Sequence, residues 1–509
     1  MAFSKIFTGS ILGIEAKLVE VETNLDNRGF PGFTIVGLPG KEIDEARERV
    51  KSAIKNSGYK FPDKKITVNL APADLHKRGS LYDLPIAVGI LSVAGVLSSG
   101  CLKTCYVVGE LSLNGSIYKI NGLVPLVLEA VKTFEKIIIP MDSLLEVYDI
   151  APGKIFGFSN LKSVVDFLVN GTVDISKPQK QALRSNEHDL EEAVFSKIKG
   201  QDFAKRAVQI AAAGGHNIAL FGSPGTGKSL LIKAMQELMP TLSKDELYEV
   251  AKIHSVVGLV FGWHNLNRPF RNPHHTITRP GMIGGGNPVL PGEISLAHNG
   301  ILFLDEFTEF SRGVIESLRV PIEEKRVCLS RTTGAIYFPC RFILAVAFNP
   351  CPCGNYGNPQ KVCTCAEHQI KKYRSKLSGP ILDRIDIFVN CRTFDLNLLS
   401  STTNEIEEDL VLRDFKNQIN GAVEIQRKRY QSLEHVFFNR DLQFNSLHKF
   451  ISLSAEAKEA LNMCAAKLGL SPRGYHRLGK VARTIADLDL EVEVMKRHVL
   501  EAAQYMTKF

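Results

Sequence analysis

A multidomain α/β fold is what the sequence predicts, and three observations carry it. The chain of 509 residues is longer than one hydrophobic core usually serves, so about three or four domains are expected. From near Ile198 to about residue 395, apolar strand-like runs alternate with helical patterns, as in a parallel sheet covered by helices. From residue 400 onward strand character fades and charged amphipathic patterns such as Leu478–Leu488 take over, which predicts a helical terminal domain.

Taken in order, residues 1–173 read as a mixed α/β domain. Strand-like runs stand at Ile66–Leu70, Cys105–Val108 and Lys136–Ile139, and helical patterns at Leu84–Leu97 and Leu123–Val131. Residues 174–192 are polar, hold Pro178 and read as a linker. Residues 193–398 form the alternating α/β core, and 399–509 the helical domain. A formal charge of +8 permits an anionic partner without demanding one. No apolar run approaches the roughly 18 residues that span a bilayer, and the first ten residues lack the pattern of a secretion signal, so no membrane partner is expected and the cytoplasm is the default compartment. Ten cysteines in such a chain are not expected to form a disulfide framework.

The chemistry begins at Gly222, Ser223, Pro224, Gly225, Thr226, Gly227, Lys228 and Ser229. An apolar strand-like run, Asn217–Phe221, enters this stretch and a helical pattern, Leu230–Met239, leaves it, which is the order a phosphate-binding loop requires. The glycines let backbone N–H groups crowd around a polyphosphate, and the helix N-terminus adds positive potential. Lys228 can reach the β and γ phosphates of ATP, and Ser229 can ligate Mg²⁺. Residues 300–306 form an apolar strand ending in two carboxylates, of which Asp305 can hold Mg²⁺ and Glu306 can polarise an attacking water. Arg341–Phe348 is another apolar run, and Asn349 at its exit can bond the γ phosphate or that water. Arg384, just beyond a proline-marked turn, can stabilise transition-state charge across a subunit boundary.

Together these segments resemble an AAA+ ATPase of the magnesium-chelatase-like group. Longer motifs narrow the resemblance: Asn69–Leu75, Asp83–Ala87, Arg268–Thr276, Pro291–His298, Asn349–Gly354 and Val481–Leu488 are similar, in order, to those of the bacterial ComM/YifB family. That resemblance covers essentially the whole chain. It implies an N-terminal Lon-protease-like (ribosomal S5-like) α/β domain, a central AAA+ module and a helical lid. It also implies a homo-hexameric ring in which Arg384 serves the neighbour's nucleotide. Arg473, within Ser471–Tyr475, resembles the lid arginine that touches nucleotide; on spacing alone an ordinary helix-start arginine fits equally well. Lon-type proteases need a serine activated by a lysine. Here Val124 falls where the lysine belongs and Leu81–Leu84 where the serine belongs, so a binding or ring-building module is expected, not a protease. Lys60, Lys64, Lys65, Lys77 and Arg78 read either as phosphate contacts or as a solvated edge.

Cys351, Cys353, Cys363 and Cys365 pair as C-x-C on a segment broken by Pro352, Gly354, Gly357 and Pro359. Four thiolates there can close a structural Zn²⁺ site; free thiols and, further behind, disulfides are the alternatives. Adjacent His274 and His275, and His254, His264 and His298, are expected to be loop or packing residues, and for Gly281–Gly286 the resemblance implies a flexible insertion facing a ring pore. The functional expectation is an ATP-driven motor on single-stranded or branched DNA, with branch migration during natural transformation implied by the resemblance. Arg268, Arg271, Arg279, Lys325 and Arg326 are pore candidates, and Gln426–Tyr430 adds charge beside an aromatic. The rival is an ATPase that remodels protein or assists metal insertion.

Overall fold

Strict alternation makes Lys65–Ala71 a strand: Ile66, Val68 and Leu70 are fully buried while their neighbours face outward. It lies in a seven-stranded sheet in the order Gly32–Val36, Lys65–Ala71, Glu15–Asp26, Ala2–Leu12, Cys105–Val107, Lys136–Pro140, Ile155–Phe158. The contacts among Lys65–Ala71, Glu15–Asp26 and Ala2–Leu12 are antiparallel and all the others parallel. The helix Asp83–Val93 is buried along its whole length, as an all-round apolar helix must be.

In this computed structural model the described residues are 2–27, 30–38, 40–75, 77, 79–98, 100–171, 194–195, 197–259, 267–331, 334–358, 360–377, 379–391, 405–433, 436–443 and 447–506. The linker expected at 174–192, Arg78, His264 and Pro359 lie outside them. The chain divides into two units, Met1–Asn186 with Leu247–Asn265, and Glu187–Glu246 with Leu266–Phe509. The seven-stranded sheet belongs to the first.

The second unit is built on a five-stranded sheet in the order Phe270–Arg271, Ile301–Leu304, Ile343–Phe348, Ile218–Gly222, Ile387–Cys391, with every neighbouring pair parallel. Ile301–Leu304 and Ile343–Phe348 are buried residue by residue, the pattern of strands covered on both faces. The helices Asp202–Gly214 and Lys228–Leu238 contribute to that cover. The C-terminal helices Glu405–Tyr430, Ala455–Lys467, Pro472–Leu488 and Lys496–Gln504 join the same unit. They are tied in by Gln426 Nε2 to the Ala213 carbonyl at 3.0 Å and by Arg206 Nε to Glu501 at 2.9 Å.

One polar cluster holds those helices together. Asp487, fully buried, accepts from Arg429 Nη1 at 2.9 Å, Arg483 Nε at 3.1 Å and Asn439 Nδ2 at 2.9 Å. Removing its carboxylate leaves two largely buried guanidinium groups uncompensated. Asp487→Ala is therefore expected to destabilise the unit by about 3–5 kcal/mol, read as a lower urea midpoint at unchanged slope.

Candidate nucleotide site

Parallel strands bring their carboxyl ends to one edge of a sheet, and three sequence-predicted segments meet there. Gly222 closes its strand at φ +155°, where a Cβ would stand 2.4 Å from the Cys391 carbonyl oxygen, so only glycine fits. Gly227, at φ +80°, is the N-cap of the helix Lys228–Leu238. Thr226 Oγ1 donates to the Ser223 carbonyl at 3.0 Å, closing the loop on itself. Lys228 turns its ammonium into that loop, donating to the carbonyls of Gly222 at 2.8 Å and Ser223 at 2.9 Å and to Asn349 Oδ1 at 3.3 Å. Desolvation lowers its pKa from the ordinary lysine value.

Ser229 Oγ donates to Asp305 Oδ2 at 2.7 Å. A hydroxyl and a carboxylate suit a hard cation, and about 2.9 Å separates adjacent ligands of an octahedron at magnesium bond lengths, so the pair fits Mg²⁺. Glu306 sits at φ +51°, a conformation rare for a side chain of its size, with its N–H on Asp305 Oδ1 at 2.9 Å. Its carboxylate is 65% exposed and lies 3.9 Å from His275 Nδ1. The His275 ring stacks on His274 at 4.1 Å and sets its edge toward Phe310 at 6.5 Å. The sequence predicts a loop or packing role for His275, and the structure sets it beside Glu306. The two-residue strand Phe270–Arg271, too short to show a hydrophobic period, pairs with the Asp305 strand and carries the histidine pair to its tip.

Arg384 and Arg473 go elsewhere. Arg384 Nη2 lies 2.8 Å from Glu323 Oε1, and Arg473 Nη1 donates to the same oxygen at 3.0 Å. Both thus turn onto Glu323 and not onto the phosphate loop. Burial would push the Glu323 carboxyl up, but hydrogen bonds from Arg384 and Arg473 outweigh it and hold the group below its ordinary value. The three line a cavity of about 540 Å³ together with Lys325, Arg477 and Lys480 among others. Arg384 Nε is buried there with no hydrogen-bond partner among the described residues.

Models of magnesium chelatase subunit ChlI match residues 19–143 and 194–398, and a model of the ChlI C-terminal region matches 413–506. The protein YifB of Escherichia coli is 41% identical over 99% of this chain and 97% of its own length. Competence protein ComM of Haemophilus influenzae is 39% identical over the same shares. The chain belongs to the ComM/YifB family of magnesium-chelatase-like AAA+ ATPases. A more distant relative, DNA replication licensing factor Mcm6 of Drosophila melanogaster, is 23% identical over 63% of the chain and 38% of its own length.

In this ComM/YifB family member the four cysteines converge. Their Sγ atoms all lie within 4.8 Å of one another, with Cys351 and Cys353 at 3.4 Å, Cys353 and Cys363 at 3.6 Å, and Cys351 and Cys363 at 3.7 Å. A Zn²⁺ tetrahedron with bonds of about 2.3 Å has edges of about 3.8 Å, so the set fits that ion. Backbone N–H groups of Tyr356 and Cys353 point at Cys351 Sγ and Cys365 Sγ, at 3.3 and 3.4 Å. The backbone N–H groups of Asn355 and Thr364 hold the Cys353 thiol down at about 5. A backbone N–H at Cys365 also favours the Cys363 thiolate, yet desolvation and the neighbouring sulfurs push that thiol up to about 12.

The basic candidates separate into two groups. Arg268 is buried and paired with Glu246 at 3.0 Å, Arg271 holds Glu293 through bonds of 2.6 and 2.7 Å, and Lys325 pairs with buried Asp441 at 2.5 Å. These three are spent on internal ion pairs. Arg279 and Arg326 are exposed, and Arg326 lies 5.2 Å over the ring of exposed Tyr337, on the antiparallel strand Gly334–Pro339 that pairs with Arg326–Arg331. Arg427 and Lys428 are exposed as well, whereas Gln426 and Tyr430 are buried. His254 and His298 are buried, and His298 Nδ1 accepts from the Arg341 N–H at 3.0 Å. In the N-terminal unit Val124 is buried with its N–H on Ser255 Oγ at 3.2 Å, and Asp83 is buried against Arg49 at 2.8 Å. Burial outweighs that guanidinium and pushes the Asp83 carboxyl up to about 6. Ser80 gives its hydroxyl to Glu110, and Lys77 gives its ammonium to the carbonyls of Gly37 and Pro72. Lys60, Lys64 and Lys65 are exposed.

Proposed function

We propose that this chain hydrolyses ATP within a homo-hexameric ring and couples hydrolysis to movement of DNA, as a helicase or branch-migration motor in recombination during natural transformation. The observation that carries the reading is that Lys228, Ser229, Asp305, Glu306 and Asn349 meet at one sheet edge while Arg384 and Arg473 form a separate cationic pair. Such a division suits a site that two protomers complete together. Backbone N–H groups of the loop cradle the phosphates, and Lys228 adds charge from their centre. Ser229 and Asp305 would hold Mg²⁺, which supplies neutralisation of the β and γ phosphates. Glu306 takes the proton of the attacking water, Asn349 orients that water or the γ phosphate, and His275 fixes the Glu306 carboxylate. Arg384, with Arg473 beside it, exchanges Glu323 for the phosphoryl charge of the neighbour's nucleotide.

In this reading residues 193–398 are the motor core with the cysteine insertion 351–365, and 399–509 the lid. Residues 1–173 are a Lon-protease-like module without the Ser–Lys dyad that serves binding or ring building. Cys351, Cys353, Cys363 and Cys365 hold a structural Zn²⁺. Of the five pore candidates, exposed Arg279 and Arg326 are the ones available to a phosphodiester backbone. No helix among the described residues is long and apolar enough to cross a membrane, in keeping with work in the cytoplasm.

The magnesium-chelatase family models support a second reading, remodelling of protein or of a metal-insertion complex. ATP turnover measured with and without single-stranded and forked DNA at two salt concentrations separates them. The DNA motor is stimulated several-fold at low salt and loses DNA affinity steeply as salt rises. Turnover that is the same with and without either DNA at both salt concentrations, with no salt-sensitive DNA binding, contradicts it.

A further inference from the structure

Between Cys353 and Cys363 the chain leaves the thiol cluster and touches the phosphate loop twice. Gly354, at φ +77°, lies so close to Pro224 that a Cβ there would stand 2.5 Å from the proline Cδ. Four residues on, Asn358 Nδ2 donates to Ser223 Oγ at 3.0 Å. The other end of that side chain, Oδ1, accepts from the N–H groups of Gln360 at 2.8 Å and Lys361 at 3.3 Å. Asn358 is thus the knot between the turn of the cysteine loop and the phosphate loop. A third link runs along the main chain, since Asn349, two residues before Cys351, accepts from Lys228.

The residues touched hold the loop in shape. The Ser223 carbonyl accepts from both Lys228 Nζ and Thr226 Oγ1, so a shift of Ser223 or Pro224 moves the groups that would receive phosphate. The cysteine loop has little apolar material with which to order itself, and of residues 351–365 only Cys351 and Gly354 are buried among those described. Its order therefore comes from the thiol cluster, from these contacts and from Arg374 over the Tyr356 ring at 4.8 Å. A disordered brace would charge the cost of ordering the phosphate loop to nucleotide binding.

We infer that the cysteine loop is the outer brace of the nucleotide site, with Gly354 and Asn358 as positioning residues that set nucleotide affinity and transmit to it the state of the four thiols. The last clause rests on the proposed four-thiolate metal site; the two contacts do not.

Equilibrium binding of a fluorescent ADP analogue to the full chain, with zinc content measured on the same samples, tests this without reference to turnover. Asn358→Ala is expected to retain the wild-type zinc content and bind about 2- to 12-fold more weakly, the net effect of one hydrogen bond. Gly354→Ala is expected to lose about tenfold or more, because it meets both a left-handed φ and the proline ring. In a double-mutant cycle, Asn358→Ala and Ser223→Ala should not add, which a merely structural effect of either would not produce. Removing zinc from the wild-type chain should weaken binding by a similar factor. Unchanged affinity in both variants with zinc retained overturns the brace, and unchanged affinity after zinc removal overturns transmission from the thiols. A wild-type chain that never carries metal refutes the zinc reading instead, and leaves the brace to be judged by the two variants.

Discussion

Glu306→Gln is expected to lower ATP turnover by about 10²–10⁴-fold while nucleotide affinity stays within a few-fold of wild type. The carboxylate is the exposed acceptor at the end of the Asp305 strand, and the amide keeps its size and its contact with His275 but cannot take a proton. The loss should therefore fall on kcat and leave ATP bound and uncleaved. Single-turnover kinetics with labelled ATP, alongside equilibrium binding, separate the two effects. A variant that keeps more than a tenth of wild-type turnover would remove Glu306 from the chemistry. Asp305→Ala, in contrast, should weaken Mg²⁺-dependent binding itself, since Asp305 directly meets Ser229 Oγ.

The second large effect belongs to Arg384, where alanine is expected to lower turnover by about 10³–10⁵-fold, the range for arginines that stabilise phosphoryl-transfer charge. Its side chain is only 10% exposed, shares Glu323 with Arg473 and leaves Nε unpartnered. The guanidinium is held by the Glu323 carboxylate and, through Nη1, by the Pro380 carbonyl at 2.5 Å; it can exchange the carboxylate for phosphate at modest cost, because Glu323 itself is 46% exposed and returns to water. Arg384→Lys should rescue little, since an ammonium cannot reproduce the planar fork.

Much of the second unit was legible because its strands are continuous apolar runs with glycine or polar punctuation. The run Asn217–Phe221 becomes the strand Ile218–Gly222, Arg341–Phe348 becomes Ile343–Phe348, and Leu230–Met239 belongs to a helix that starts two residues earlier, at Lys228. In the first unit Ile66–Leu70, Cys105–Val108 and Lys136–Ile139 are strands to within a residue. The long pair Ala2–Leu12 and Glu15–Asp26 was not read. Val19, Val21, Thr23 and Leu25 do alternate inward, but Glu15 and Lys17 before them and Glu20 and Glu22 between them, with a polar Thr23 inside, mask the apolar period. The grouping of Leu247–Asn265 with the first unit had no signal in composition.

At the site itself, residue type and spacing singled out Lys228, Ser229, Asp305, Glu306, Asn349 and the cysteines, because each closes a glycine loop, follows directly on a readable strand or sits in a short repeat. Partners distant in sequence stayed hidden. Nothing near Arg268, Arg271 or Lys325 announces Glu246, Glu293 or Asp441 as their counter-ions, so these cations read as free to meet an anion. Glu323 and His275 were missed for the same reason. Each acquires its meaning from a group brought to it by the fold.

Mixing two inactive variants tests the shared site most directly. Chains carrying Lys228→Ala have a broken phosphate loop but an intact Arg384, and chains carrying Arg384→Ala have the reverse. If two protomers complete one site, co-assembled mixtures regain ATP turnover at every seam where an Arg384→Ala loop faces a Lys228→Ala neighbour, with a maximum near equal proportions. A mixture that stays as inactive as its parts, in assemblies shown to contain both chains, contradicts the account.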